Sequence, residues 1–454
     1  METSVIIKKY RIILFDICML ISSYVLFWIA AKQNISNLPI YWKTSLDITA
    51  GFSQAMSIEA LNYWYIYVLA GALLIFGCIY ELIVALKNKY IHYSEICNIM
   101  LILFFNITLF KYGFGRHDLH QIVYIGFNCL MFAAYQNMFR KMNAVKHDIK
   151  AGTILIVSFI GLYVSTVSVL NNYSYIDLLK YSSYDNITKN YTMLLECSFK
   201  SDEKKDIQMQ VNINNAKLPR IQSVVKDSYV DIYNFETNYI WYNKLNYLPR
   251  PIFQSYQAYT DILMKYNVDK LYSEKKPEYI LFKVQCIDGR MPLSDDALWV
   301  RHVLENYQYL FEEKGVMLFK AKTINEQNNT TDKKIKNIFV KWGEVIPIPN
   351  ENNIYIKADI DYTLLGNIAN ILWKTPSIYA ELTMNDDKKE YVRIIPKMIK
   401  EPMLISEFIN SNELLIKHLQ NKENKRVKSI SFIKPWAGDF FMKSDFYIEV
   451  LDYE

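Results

Sequence analysis

The 454-residue sequence predicts a three-part fold: a membrane α-helical part of about five transmembrane helices, an extracytoplasmic α/β domain and a C-terminal antiparallel β-sandwich. Three observations carry that prediction. Hydrophobic residues make up 52% of the chain at a mean hydropathy of +0.00, yet the long apolar runs crowd into the first third. Short apolar runs then alternate with helix-spaced apolar residues up to residue 322. Beyond residue 334 the apolar and polar residues alternate with a period of two.

Apolar stretches at 12–31, 64–86, 95–111, 121–139 and 152–171 define the transmembrane domain, residues 1–171. A helix rising ~1.5 Å per residue needs roughly 20 residues to cross ~30 Å of hydrocarbon. The third stretch, centred on LILFFNITLF (101–110), is the shortest and also fits a buried or re-entrant segment. Lys8, Lys9, Arg11, Lys87, Lys89, Arg140, Lys141, Lys146 and Lys150 flank one side of these stretches, against Lys32, Lys43, Lys111 and Arg116 on the other. The positive-inside rule then makes the N-terminus cytoplasmic and residues after 171 extracytoplasmic, in a multi-pass protein of the inner or plasma membrane. KKYR before the first stretch also fits a signal peptide, but the long apolar run and a weak Ile-Ala-Ala site favour an uncleaved anchor.

Two outer connections follow. Residues 32–63 are too long for a bare turn, and their IEALNYW end suits an amphipathic surface helix. The second connection is KYGFGRHDLH (111–120). Charge beside hydrocarbon is costly and faces a cavity, a partner or headgroups. Lys111, Arg116 and His120 are therefore candidates for holding a phosphate or pyrophosphate, with His117 or Asp118 as acid–base group. The plainer reading leaves Lys111 and Arg116 on lipid phosphates, makes Asp118 a helix N-cap, and gives the histidines no role.

The α/β domain, residues 172–322, follows from strand-like VDIY (230–233), YILF (279–282) and VMLFKA (316–321). Between them YTDILMKYNVDKL (259–271) and DDALWVRHVLENYQYLF (295–311) have helical spacing, the second opened by Ser294. TINEQNNTTDKK (323–334) reads as a linker. Segments such as NIYIKADIDYT, IYAELTM, YVRIIPKM and FYIEVLD then make residues 335–454 a β-sandwich, a shape often used for glycan binding. In the α/β domain, Pro249 and Pro251 stiffen the backbone around Arg250, just before a helix expected to open at Gln254, Ser255, Tyr256 and Tyr259. Arg250 there suits an anion, or else pairs with Asp288 of CIDGR.

Charge and cysteines narrow the partners. A net charge of +5 without a Lys/Arg stripe excludes nucleic acid. The six cysteines lack metal-ligand spacing, so no structural zinc site is expected. An outer location makes a nucleotide cofactor unexpected, and a divalent metal, though open, lacks ligand spacing. Cys197 and Cys286 pair only if their geometry permits it. The 36 Tyr and 8 Trp suit membrane interfaces and sugar faces, or reflect AT-biased coding.

FKYGFGRHDLH (110–120), PRPIFQSYQAYT, PEYILF (277–282), IDGRMP (287–292) and GFSQAMSIEA (51–60) resemble a group of bacterial polytopic membrane proteins of uncharacterised function. That group is in turn similar to GT-C-type glycosyltransferases, which use polyprenyl-phosphate sugars. The resemblance spans most of the chain. It implies a cell-envelope protein acting on a lipid-linked glycan or polysaccharide, with Asp47 as catalytic base and Arg116 and Lys111 on the phosphate. The chain departs from the enzyme pattern in having fewer spans and no paired acidic motif in its first outer connection, which offers Asp47 and Glu59. The alternative is a non-catalytic, membrane-anchored glycan-binding or assembly protein. Its expected partners are membrane lipids, the glycan and a membrane protein that supplies missing helices.

Overall fold

In the computed structural model, described residues are 2–58, 93–116, 214–323 and 332–453, with single positions at 69, 72, 76, 79, 83, 120, 124, 185, 188, 189, 191 and 192. The chain divides into two units, Met1–Gly51 and Phe52–Glu454.

The first unit is built on α1 (Glu2–Ala30) and most of α2 (Leu38–Met56). Lys32, in the left-handed region at φ 59°, ends α1, and the Asn34 side chain accepts from Ser36 N to start the next turn. Aromatic rings then join the helices: Tyr24 lies 5.3 Å from Trp42, and Trp28 lies 5.0 Å from Tyr41. Most of the connection expected over 32–63 is therefore helix, and Pro39 lies in the first turn of LPIYWKTSLDITAGFSQAM, where a proline is tolerated.

The five-span membrane part is corrected. Among the described residues, no helix is long and apolar enough to cross a membrane. The stretch at 12–31 falls in α1, which carries Asp16 within the stretch. The stretch at 95–111 falls in α3 (Tyr93–Gly115), whose Asn106, Gly113, Phe114 and Gly115 are buried in protein. The stretch at 152–171 and nearly all of 64–86 and 121–139 lie outside the described residues. The multi-pass membrane placement and its orientation presupposed these spans and are withdrawn with them.

The second unit contains a five-stranded sheet of order β2-β1-β3-β5-β4: β1 (Tyr229–Tyr233), β2 (Asn246–Tyr247), β3 (Tyr279–Phe282), β4 (Tyr307–Glu313) and β5 (Val316–Ala321). β2, β1 and β3 are parallel, and β5 and β4 continue antiparallel. YILF is buried at every position because both sheet faces are covered. Val230, Ile232, Leu281 and Leu318 pack on one face, with Ile221 of α4 (Pro219–Val225) and Ile240 of α5 (Asn238–Tyr242). Tyr233, Ile280, Phe282 and Phe319 turn to the other, against Trp299 and Val303 of α7 (Ala297–Asn306). The second predicted helix ends earlier than residue 311, since YQYLFEE alternates in burial and joins the sheet as β4. α6 (Asp261–Tyr272) is capped by Thr260, which accepts from Leu263 N.

Two antiparallel four-stranded sheets follow, of orders β10-β9-β12-β7 and β11-β8-β13-β6, with β6 at Asp332–Lys341, β7 at Val345–Pro347 and β11 at Met403–Leu404. The strands that matter below are β8 (Ile354–Asp359), β9 (Ile378–Met384), β10 (Lys389–Ile394), β12 (Val427–Ile433) and β13 (Asp445–Tyr453). Phe432 of β12 meets Phe446 of β13 edge-on at 5.3 Å, closing the two sheets face to face. The core beside α7 also takes in Tyr355, Leu404 and Leu451 from these sheets, so the α/β layer and the sandwich share it. Asn412, opening α9 (Asn412–Leu419), ties them further: its Oδ1 accepts from Val284 N and its Nδ2 donates to Gly315 O. Residues 324–331 of the expected linker lie outside the described residues, and β6 (Asp332–Lys341) begins within it.

Candidate functional site

The end of α2 and the end of α3 meet. Ile58 N donates to Gly115 O at 3.3 Å, and Arg116 donates to Met56 O at 3.0 Å. A helix leaves its last carbonyls without intrahelical partners, at the negative end of its dipole. Cations from distant segments fill that role. Arg290 donates to Ala55 O at 2.8 Å, Arg393 to Gln54 O at 2.7 Å and Ser57 Oγ at 3.0 Å, and Lys374 to Ile58 O and Gly115 O at 3.1 and 3.3 Å. Trp373 Nε1 adds a bond to Phe114 O at 2.9 Å.

The predicted phosphate ligands stand in this junction. The Arg116 fork meets both oxygens of Asp288 at 2.9 and 3.1 Å, with both side chains mostly buried. Asp288 and Gly289, at φ 53° and 66°, turn the chain so that the carboxylate faces Arg116. Lys111 donates to Asn370 O and Ile371 O, the last carbonyls of α8 (Leu364–Leu372), and burial pulls its pKa down. His120 packs edge-on against Tyr112 at 5.2 Å. His117 and Asp118 lie outside the described residues. Asp47, half-buried, stands on α2 within the first unit.

Arg250 lies where the parallel strands end. Its partner is not Asp288. Its Nη1 donates to Asp231 at 2.8 Å and to Ile232 O at 3.0 Å, its Nε faces Asp296 at 3.3 Å, and its Nη2 reaches Ser255 Oγ and lies near Phe253 O at 3.5 Å. The Trp299 ring covers the guanidinium at 4.3 Å. Asn267 donates to Asp296 at 2.7 Å, and a second pair beside it joins Arg290 to Asp295 at 2.7 Å. Asn234 donates to the other Asp295 oxygen at 3.0 Å. The charged members of both pairs are buried. One guanidinium therefore faces two carboxylates, Asp231 and Asp296, in a desolvated place. Burial drives the Asp296 pKa up to about 7 and raises Asp231 too, with Arg250 opposing both. Burial pulls Arg250 down, and the two carboxylates outweigh it and hold it raised. Asp296 is at φ 59° and does not cap α7, because its carboxylate is engaged with Arg250 and Asn267. The helix expected to open at Gln254 is only a 3-10 turn, Ser255–Gln257.

A different kind of surface lies on the sandwich. Registers Tyr391↔Glu381, Arg393↔Tyr379 and Ser431↔Glu381 place Tyr379, Glu381, Tyr391 and Ser431 on the outer face of β9, β10 and β12. Tyr391, 59% exposed, donates from its hydroxyl to Glu381 at 2.7 Å, and Lys389 meets the other oxygen at 2.8 Å. These bonds, Lys389's first and Tyr391's second, hold the Glu381 pKa down. Tyr379 is 37% exposed on the neighbouring rung. Sequence reasoning passed over this face. Its only sign was the strict alternation in IYAELTM with an aromatic, an acid and a hydroxyl on the outward positions.

Cys286 carries an exposed free thiol, and Cys197 lies outside the described residues. Among the described residues, no group of three or more His, Cys, Asp or Glu is placed to hold a metal. No family model, no curated protein and no solved structure matches the chain. The glycosyltransferase-like description is therefore withdrawn: nothing similar stands beside it, and it leaned on a polytopic membrane part absent from the described residues.

Proposed function

We propose that the protein recognises a glycan, polymeric or lipid-linked, on the outer face of β9, β10 and β12, without turning it over. The observation that carries this is the pair of exposed rings, Tyr379 and Tyr391, set around the Glu381 carboxylate. A pyranose offers an apolar ring face and a rim of hydroxyls. Tyrosine rings stack on the first, and an ionised carboxylate and serine hydroxyl accept from the second. Lys389 holds Glu381 ionised and in place. Recognition also fits the state of the cations expected on a phosphate. Arg116, Lys111 and Arg250 each have acceptors within the chain, which leaves a transfer reaction without its clamp.

The test is affinity electrophoresis of the full chain through gels holding neutral, acidic or amino-sugar polysaccharides. The expected result is retardation by at least one class, weakened about tenfold by Tyr391→Ala, as fits loss of a stacked ring. Glu381→Gln should weaken it less. Mobility unchanged in every gel, or retardation that survives Tyr379→Ala with Tyr391→Ala, sinks the proposal.

A further inference from the structure

Helix α8 carries LLGNIANIL, with no charged residue in it. Only Gly366 and Asn370 are buried; Leu364, Leu365, Ile368, Ile371 and Leu372 all project into solvent, Leu364 and Ile371 at 79% and 72% exposure. Their position is fixed from beneath. Thr363 N and Oγ1 donate to Phe441 O and Phe440 O in α10 (Gly438–Phe441), and Gly366 lies so close that a Cβ there would meet Phe441 O at 2.1 Å. Any residue larger than glycine would lift α8 from this support. The same contact seats Phe440, which is exposed, on the support of α8, and Trp436, two positions before α10, is exposed as well. Lys111 closes the far end of the helix.

We propose that α8, with Trp436 and Phe440, is a lipid-docking face that lies on a phospholipid surface and does not cross it. Three features select lipid over protein. A protein interface carries about one hydrogen bond per 100–200 Å², and the outward side of α8 offers only Asn367 for that purpose. Lipid chains ask for none. The rim carries two exposed lysines, Lys434 and Lys443, each paired with a carboxylate, Asp439 and Asp361 respectively. An ammonium has three donors, so both keep capacity for headgroup phosphates. Trp436 supplies the amphipathic ring that favours the boundary between chains and headgroups. This inference does not rest on the glycan reading.

Two tryptophans of nearly equal exposure allow a local test: Trp436 at 70% in the face, and Trp241 at 68% on α5 in the α/β layer. The emission of each is the difference between the native chain and its Trp436→Phe or Trp241→Phe variant. Vesicles of phosphatidylcholine and phosphatidylglycerol, three to one, carry bromine on shallow chain carbons as quencher. The expected result is a blue shift of Trp436 emission with at least twofold quenching, while Trp241 changes little. Leu364→Gln with Ile371→Gln should abolish the quenching and leave the near-ultraviolet circular dichroism unchanged. Trp436 emission that ignores the vesicles overturns the proposal. So does emission already blue-shifted without vesicles and never quenched, which would mean that a second copy or another protein segment covers the face.

Discussion

Two charged regions of the second unit follow opposite rules. At the carboxyl end of the parallel strands, Arg250, Arg290, Asp231, Asp295 and Asp296 are buried and bound to one another or to main-chain oxygen. On the sandwich, Glu381, Lys389 and Tyr391 make a similar set of hydrogen bonds in contact with water. Buried charge without a partner costs several kcal/mol per ion, and each ion of the first set has an opposite charge within the chain. The second loses little if a bond breaks, and a ligand can take that bond over. The location at strand ends, where α/β proteins commonly bind ligands, thus belongs here to a structural network, and the adaptable chemistry lies on a sheet face.

Removing the Arg250 charge should separate the regions most. Arg250→Ala leaves Asp231 and Asp296 facing each other in a desolvated core, and about 3–5 kcal/mol of stability should vanish in urea denaturation. Arg250→Lys should recover only part, since an ammonium cannot reach Asp231, Asp296 and Ser255 together. A loss below ~1 kcal/mol would show that the network is not what holds the strand ends.

Next comes pH. Asp296 keeps its proton to about 7 when folded, mainly because it is buried, whereas an unfolded aspartate loses it near 4. Between those values the folded state holds more protons, so this group's contribution to stability falls as pH rises. Asp231 is shifted the same way by burial, and the two titrate as a pair around Arg250. Urea midpoints at pH 5 and pH 8 should therefore show a downward trend, on the order of 2 kcal/mol, that Asp296→Asn flattens. An equal trend in the variant would assign it elsewhere.

Arg116→Ala should have a smaller effect, about 1–2 kcal/mol, because the Arg116–Asp288 pair retains some solvent contact. Asp288→Asn should cost a similar amount, and the double variant less than the sum. Strict additivity in that cycle would deny the pairing. Tyr391→Ala should change stability by less than ~0.5 kcal/mol while reducing glycan retardation. A large stability loss there would mean that the outer face, too, is structural.

How much of this was legible depends on the range of the interaction. VDIY and YILF lie in β1 and β3, because a short apolar run between turns has few other uses. IYAELTM is β9, since period two is a local property. The spacing over 295–311 predicts a helix longer than the one formed, as YQYLF has aromatic and aliphatic residues that suit either period and only the adjacent β5 decides. Of the two uses the sequence allows Arg250, an anion or Asp288, the structure takes neither and pairs it with Asp231 and Asp296. Asp231, 19 positions away, carries no mark distinguishing it from Asp288, and the choice is made by sheet register. Arg290 and Arg393 give no sign of holding the end of α2, because their acceptors there include main-chain atoms 235 and 339 positions away.

That last pairing has an evolutionary consequence. The cations at the ends of α2 and α3 address carbonyl oxygens, and every residue type presents the same carbonyl. Gln54 and Met56 can drift to other helix-forming residues of fitting size without altering the acceptors that Arg393 and Arg116 meet. Arg290, Arg393 and Lys374 have no such freedom, because the donor exists only in their side chains. In divergent copies of this chain the junction should therefore be traceable through three scattered cations and scarcely at all through the helix ends they hold.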